Sequence, residues 1–264
     1  MAADLFDMEV RAMRRDRAFR GGVELFLYER AFEDCLDRLA LVQRRFRSAL
    51  IIGCPDPAWP GRLGATVDRV QAIDPGPQFA AAANGLLADE EAISFEPGEF
   101  DLCVAIGTLD TVNDLPRTLA AVRRALAPDG FFLGAIAGGG TLPQLRAAMH
   151  EADRVEGVAV PHVHPRIDGP TLAALLAAAS FVNPVVDVDR VQVRYETLGR
   201  LVSDLRAMGA TNVLRARARR GLSRAAWHVA SRAFAAAGDG ARTVEIYEIL
   251  HFAAWNPAAG LSRR

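Results

Sequence analysis

The sequence predicts an α/β protein with an open, mostly parallel sheet and helices on both faces. Three observations point there. Short runs of consecutive apolar residues, such as Ala49-Leu50-Ile51-Ile52, alternate with helix-patterned segments, as strands buried on both faces do. Several runs stop at small or acidic residues (Gly53, Asp74, Gly107), the chemistry found where ligands meet the carboxyl ends of parallel strands. The best-marked helix, Leu115 to Leu126, lies between two of the runs.

In chain order, residues 1–47 are Arg-rich and helical in pattern. Phe32, Leu36, Leu39 and Val42 recur at three- and four-residue spacing and make one apolar face, which leaves the arginines for a solvated one. The first strand runs into Gly53. The second, Val67 to Ile73, stops at Asp74-Pro75-Gly76. A helix is expected over Gln78 to Leu87, a third short strand over Ala92 to Phe95, and a fourth over Phe100 to Ile106. The helix from Leu115 is capped by Asp114, carries Pro116 in its first turn, where a missing N–H costs nothing, and is stopped by Pro128-Asp129-Gly130. Phe131 to Ile136 is the fifth strand. After Gly138, helices are expected at 142–153, 170–179, 197–207 and 223–237, and strands at 184–195 and 243–253, which brings the sheet to seven. No internal repeat or low-complexity linker appears. The chain reads as a helical segment, 1–47, followed by one domain, 48–264, with a helical insertion at about 142–182 and further helices at about 197–237.

Composition removes whole classes of chemistry. All 31 basic residues are Arg; there is no Lys. Schiff-base catalysis needs a Lys amine and a P-loop needs Gly-Lys-Ser/Thr, so neither is available. A net charge of −1 gives no broad pull toward nucleic acid or anionic membrane. No apolar run reaches the roughly 18 residues that span a bilayer. Cys35, Cys54 and Cys103 are odd in number and widely spaced, without a zinc or disulfide pattern, so a reducing cytoplasm is the expected compartment.

Candidate functional residues cluster at strand ends. Gly53, with Asp74 about 20 residues on, matches a turn that approaches a nucleotide-like ligand and a carboxylate that accepts from a ribose diol. An ordinary strand-to-helix turn explains the pair equally well, because Cys54-Pro55-Asp56-Pro57 is poor in glycine and Pro lacks an N–H. Asp89 and Glu90, in Ala88-Asp89-Glu90-Glu91, offer carboxylates to an adenine amino group or form a solvated acidic turn. The small residues from Ala105 to Thr108 leave room for a ligand, with Asp110 facing a substrate or capping its loop. His162 and His164 lack the further ligand spacing of a zinc site, so no metal is expected, and the Pro161–Arg166 run reads as a stiff loop in which His162 donates a hydrogen bond. Trp227, His228, Tyr247 and Trp255 read as core aromatics. No basic stripe interleaves them, which argues against nucleic acid.

These strand ends, with Phe100-Asp101-Leu102 and Pro128-Asp129-Gly130, resemble class I S-adenosylmethionine-dependent methyltransferases. More closely, the chain is similar to the complex I assembly factor 5 family and its alphaproteobacterial relatives. That likeness rests on Leu5-Phe6-Asp7, Ala88-Asp89-Glu90-Glu91, Val112 to Arg117, Gly134-Ala135, Gly138-Gly139 and Thr141-Leu142. It continues through Pro161-His162, Asp187-x-Asp189, Val191-Gln192-Val193-x-Tyr195, Asp204-Leu205-Arg206, Met208-Gly209 and Asn212.

The resemblance implies a Rossmann-like, seven-stranded methyltransferase fold that binds S-adenosylmethionine through Gly53, Cys54, Asp74, Asp89, Glu90 and Ala105, with Asp110 and His162 orienting a substrate. It implies a protein partner, an iron–sulfur subunit of NADH dehydrogenase, and hydroxylation of one of its arginines. The family's first loop carries an acidic residue and further glycines where this chain has Ile51, Pro55 and Pro57, and the family's His-Trp after the fourth strand is Asp110-Thr111 here. Two alternatives therefore stand beside the main reading: a degenerate member that works by binding a partner protein, and a small-molecule methyltransferase. Because every cation is Arg, an anionic partner would be gripped by guanidinium forks, with Arg14, Arg15, Arg17 and Arg20 as the first candidates.

Overall fold

The computed structural model describes residues 4–258. The chain divides into two compact units. The first comprises residues up to Glu24, Gly138–Arg166 and Arg190–Glu248; the second comprises Leu25–Ala137, Ile167–Asp189 and the chain from Ile249.

The second unit contains helix α2 (Phe26–Leu41) and strand β1 (Phe46–Ile52), then α3 (Trp59–Leu63), β2 (Val67–Asp74), α4 (Pro77–Ala82) and β3 (Leu86–Leu87). It continues with β4 (Phe100–Ile106), α5 (Leu115–Ala125), β5 (Leu126–Ala137) and α7 (Gly169–Ala178). Helix α1 (Met8–Gly21) opens the first unit, which also holds α6 (Pro143–Glu156), α8 (Leu198–Ala207) and α9 (Arg224–Ala236). Strands β6 (Val182–Tyr195) and β7 (Thr243–Trp255) contribute residues to each unit.

The seven strands are ordered β3-β2-β1-β4-β5-β7-β6. Pairs β1–β2, β1–β4, β2–β3 and β4–β5 are parallel, and β7 runs antiparallel to β5, with Gly134 opposite Phe252. The strand order reverses at β1, between β2 and β4. In an open parallel sheet the crevice outside the strand ends at such a reversal is where ligands bind.

The core of the second unit follows from the apolar runs. Leu50, Ile52, Ile73, Cys103, Phe132 and Phe252 pack with Leu119, Val122 and Ala125 of α5 and Leu172 and Leu176 of α7. Each such Leu, Val or Phe removed from water stabilises by about 1.5–3 kcal/mol. Asp114 caps α5 by accepting from the Arg117 N–H at 2.9 Å. Asp101, buried in β4, accepts from the N–H groups of Arg47 and Ser48 and so ties β4 to the start of β1. A buried carboxylate is tolerated when backbone donors satisfy it in this way.

The structure corrects three local expectations. The third strand is Leu86–Leu87, not Ala92 to Phe95, and the preceding helix ends at Ala82. Asn84 takes a left-handed φ of +50° and closes the helix, and Gly85 then passes so near β2 that a Cβ there would lie 2.5 Å from the Ala72 carbonyl oxygen. A larger residue could not make that approach. Arg11 and Arg15 of α1 are only 4% exposed rather than on a solvated face. Gly209, at φ +70°, brings the chain to within contact of the Arg15 Cα, and arginine's long stem packs readily while its head finds polar company. Trp227 is 39% exposed on α9, not core. Trp255 does stack on Phe131, at 4.2 Å between centroids.

Candidate functional site

The crevice at the end of β1 is built from its first turn. Gly53 continues β1 with its N–H donating to the Ile73 carbonyl at 2.9 Å, and turns at φ +78°. A Cβ on Gly53 would collide with the Ile106 carbonyl oxygen and stand 2.7 Å from Thr108 Cγ2, so the turn lies directly against the end of β4. Cys54 is buried, and its thiol donates to the Asp56 carbonyl at 3.3 Å. Asp56 then accepts from the Ala58 N–H at 2.8 Å, just before α3. Pro55 and Pro57 stiffen this path by fixing φ.

Asp74 ends β2 beside the turn. It is 0% exposed. One carboxylate oxygen accepts from the Cys54 N–H at 2.8 Å and the other from the Gly76 N–H at 2.7 Å. The Asp74 carbonyl accepts from the Ala88 N–H at 3.3 Å, which leads the chain into Asp89 and Glu90. Asp89 caps a single 3-10 turn, Glu90–Ala92, by accepting from the Glu91 N–H at 2.9 Å, and Glu90 is fully buried. Glu91 reaches across to accept from the Asn113 and Asp114 N–H groups. Ala105 lies inside β4, opposite Gly134 of β5. Asp110 sits half-buried in the 3-10 turn Leu109–Thr111 just past the end of β4.

Gly53, Cys54, Asp74, Asp89, Glu90, Ala105 and Asp110 thus all belong to the second unit, and the structure brings Gly53, Cys54 and Asp74 into one hydrogen-bonded turn. His162 belongs to the first unit, where its Nε2 pairs with Asp153 Oδ1 at 2.7 Å. His164 Nε2 accepts from the Val213 N–H at 2.9 Å. Among the described residues no three His, Cys, Asp or Glu side chains converge as metal ligands, and no helix is long and apolar enough to cross a membrane.

One residue of this site was missed in the sequence. Tyr28 of α2 packs its ring over Gly107, where a Cβ would collide with the ring edge and lie 2.8 Å from Cδ1. Beside it Phe32 stacks on Trp59 at 4.4 Å, Trp59 Nε1 donates to Glu29 at 3.1 Å, and Arg62 pairs with Glu29. Helix α2 is therefore part of the wall around the ends of β1 and β4. Tyr28 stands one helical turn before Phe32, on the apolar face already evident in the spacing.

An adenosyl ligand needs a carboxylate presented outside the β2 end to its ribose hydroxyls. Asp74 is enclosed, and each of its oxygens already accepts a backbone N–H. Two of the turn positions that would donate to such a ligand are prolines. The residues present do not fit S-adenosylmethionine in this arrangement; the β2 carboxylate holds its own turn closed.

Comparison with known proteins agrees with the sheet order. Residues 50–134 match the methyltransferase domain family. The chain is 34% identical over 223 residues to the mouse mitochondrial arginine-hydroxylase NDUFAF5, covering 80% of this chain and 65% of that protein. It is 31% identical over 186 residues to a malonyl-[acyl-carrier protein] O-methyltransferase of Laribacter hongkongensis, covering 70% of this chain and 61% of that one. The crystal structure of YcgJ from Bacillus subtilis superposes with a TM-score of 0.57 at 11% identity, covering 84% of this chain and 97% of that one, a likeness of fold. The chain spans about two thirds or less of the length of these curated relatives. By its sheet topology this protein has the class I methyltransferase fold, with a methyltransferase domain at residues 50–134, and over most of its length it resembles the complex I assembly factor 5 family.

Proposed function

We propose that this chain acts in the assembly of respiratory NADH dehydrogenase, on an iron–sulfur subunit of that enzyme, and that hydroxylation of an arginine is the modification it serves. The observation that carries the reading is the extent of its likeness to the arginine hydroxylases. The match covers 80% of the chain, far more than the methyltransferase domain at residues 50–134.

An arginine substrate gives Asp110 a definite task. A carboxylate just past the end of β4 is the group that a guanidinium fork grips with two parallel hydrogen bonds. His162, held by Asp153, is the second candidate for orienting the partner. Both bind and position; neither is assigned a covalent step, and no step is routed through S-adenosylmethionine.

A second reading is partner binding without catalysis, with which the enclosure of Asp74 is compatible. Deleting the gene in its own host and weighing the intact iron–sulfur subunit tests both. A subunit lighter by one oxygen atom is the result expected for hydroxylation. An unchanged mass with less assembled NADH dehydrogenase supports the binding reading, and an unchanged mass with normal assembly overturns both.

A further inference from the structure

The first unit carries a group of cations that no step above uses. Asp7 caps α1 by accepting from the Val10 N–H at 3.2 Å and pairs with Arg217 at 3.0 Å. Arg217 also donates to the Leu214 carbonyl at 2.7 Å. On α1, Arg17 donates to Thr211 Oγ1 at 3.2 Å. Arg14, one turn before Arg17, makes no hydrogen bond or ion pair among the described residues. It is half-buried, and its charge is repelled by Arg17 and Arg217 and attracted by Asp7, which is already paired with Arg217.

This is an unusual way to place a guanidinium. Loss of water, then repulsion from Arg17 and Arg217, push Arg14 down to about 10, so the fold holds it there at a cost. Arginines that serve only the fold have acceptors, as Arg217 has here. A partly desolvated cation with like-charged neighbours is stabilised when an anion arrives, because the new pair forms where water screens it least. The rest of the face shows which anion. Met13 is 58% exposed beside Arg14, and Leu5 is also exposed. Arg14 and Arg17 stand about one turn apart on α1 with no aromatic side chain between them in the sequence, which does not suit stacking on nucleic-acid bases. Cations mixed with apolar side chains suit a peptide that is itself mixed.

We infer that Arg14 and Arg17, together with Met13, form a docking face for an acidic segment of a partner protein, whose carboxylates bridge the two guanidinium groups and whose apolar side chains cover Met13. Of the four arginines marked out in the sequence, Arg14 and Arg17 take this role. Arg15 is buried, and Arg20 stands outside the set that acts on Arg14.

The full chain is titrated against a fluorescein-labelled peptide of alternating Glu and Leu, with a Lys–Leu peptide as control, and anisotropy is read. The acidic peptide should bind, more weakly as salt rises. The double change Arg14→Gln with Arg17→Gln should weaken binding by at least about tenfold, the loss of charge-assisted hydrogen bonds, while R20Q binds as the native chain does. In urea, R14Q should unfold at the same or a higher midpoint, because it removes a desolvated, repelled charge. The inference is overturned if the native chain binds the two peptides alike or if the double variant keeps native affinity. It is equally overturned if R14Q lowers the urea midpoint, which would make Arg14 a structural group. Displacement of the peptide by inorganic phosphate or a DNA duplex at concentrations below its own would assign the face to phosphate and also overturn it.

Discussion

The turn at the end of β1 and the face of α1 handle charge in opposite ways. In the turn, Asp74 has lost all contact with solvent and its oxygens are satisfied by the Cys54 and Gly76 N–H groups. On α1, Arg14 is half-buried, has no acceptor among the described residues and feels two like charges. A charge whose hydrogen bonds close inside the chain builds structure; a charge left with its bonds open is poised for something outside it. The place where this fold family meets its ligand has become the first kind, and a surface helix carries the second.

Substitutions should separate the two by sign. The largest effect expected is at Asp74. Asp74→Ala strands two buried N–H donors and should lower stability by about 4 kcal/mol, read as a shift of the urea midpoint. A near-neutral result would mean that the turn does not depend on the carboxylate. Gly53→Ala follows. Its φ of +78° and the Ile106 carbonyl in the Cβ position combine left-handed strain with a clash, expected to cost about 3 kcal/mol in the same assay. Both changes destabilise, whereas R14Q is expected not to.

His251 lies between the patterns and should give the smallest effect. It is buried on β7, with Nδ1 3.0 Å from Asp34 and Nε2 3.8 Å from Asp189, and with Arg38 and Arg30 nearby. Burial, then the arginines, lower its pKa against the pull of the two carboxylates. The folded state therefore prefers the neutral ring. That contribution is complete above the unfolded histidine value near 6.5 and is lost as pH falls below it toward the lower folded value. His251→Gln should flatten the acid limb of a stability–pH curve between pH 7 and 5; an unchanged limb would assign the acid sensitivity elsewhere.

Much of this fold is legible in the sequence because its strands are buried on both faces. Ile51 and Val104 each sit in an unbroken apolar run, and α5 announces itself through Asp114 and Pro116, whereas Pro128-Asp129-Gly130, expected to stop it, lies within β5. The two-residue strand β3 is not legible. It exists because Asn84 and Gly85 turn the chain back onto Ala72, and no periodicity marks a strand that short. At the site, sequence spacing identifies where Asp74 stands but not what it bonds to, since a carboxylate facing a ribose and one facing its own turn read alike. Tyr28 was within reach, one turn from Phe32 on a face already recognised. Arg14 and Arg15 are adjacent and chemically identical, yet Arg15 is buried on the side of α1 that meets Gly209 while Arg14 is half-buried, a difference that tertiary packing makes.

The central claim is that the carboxylate at the end of β2 now serves its own turn, so that this fold stands without an adenosyl ligand. Thermal unfolding of the full chain with S-adenosylmethionine or S-adenosylhomocysteine at millimolar concentration tests it most directly. The account predicts an unchanged midpoint with either ligand. A rise in midpoint, equivalent to about 2.7 kcal/mol where the ligand reaches a hundred times its Kd, would contradict it and restore Asp74 to cofactor binding.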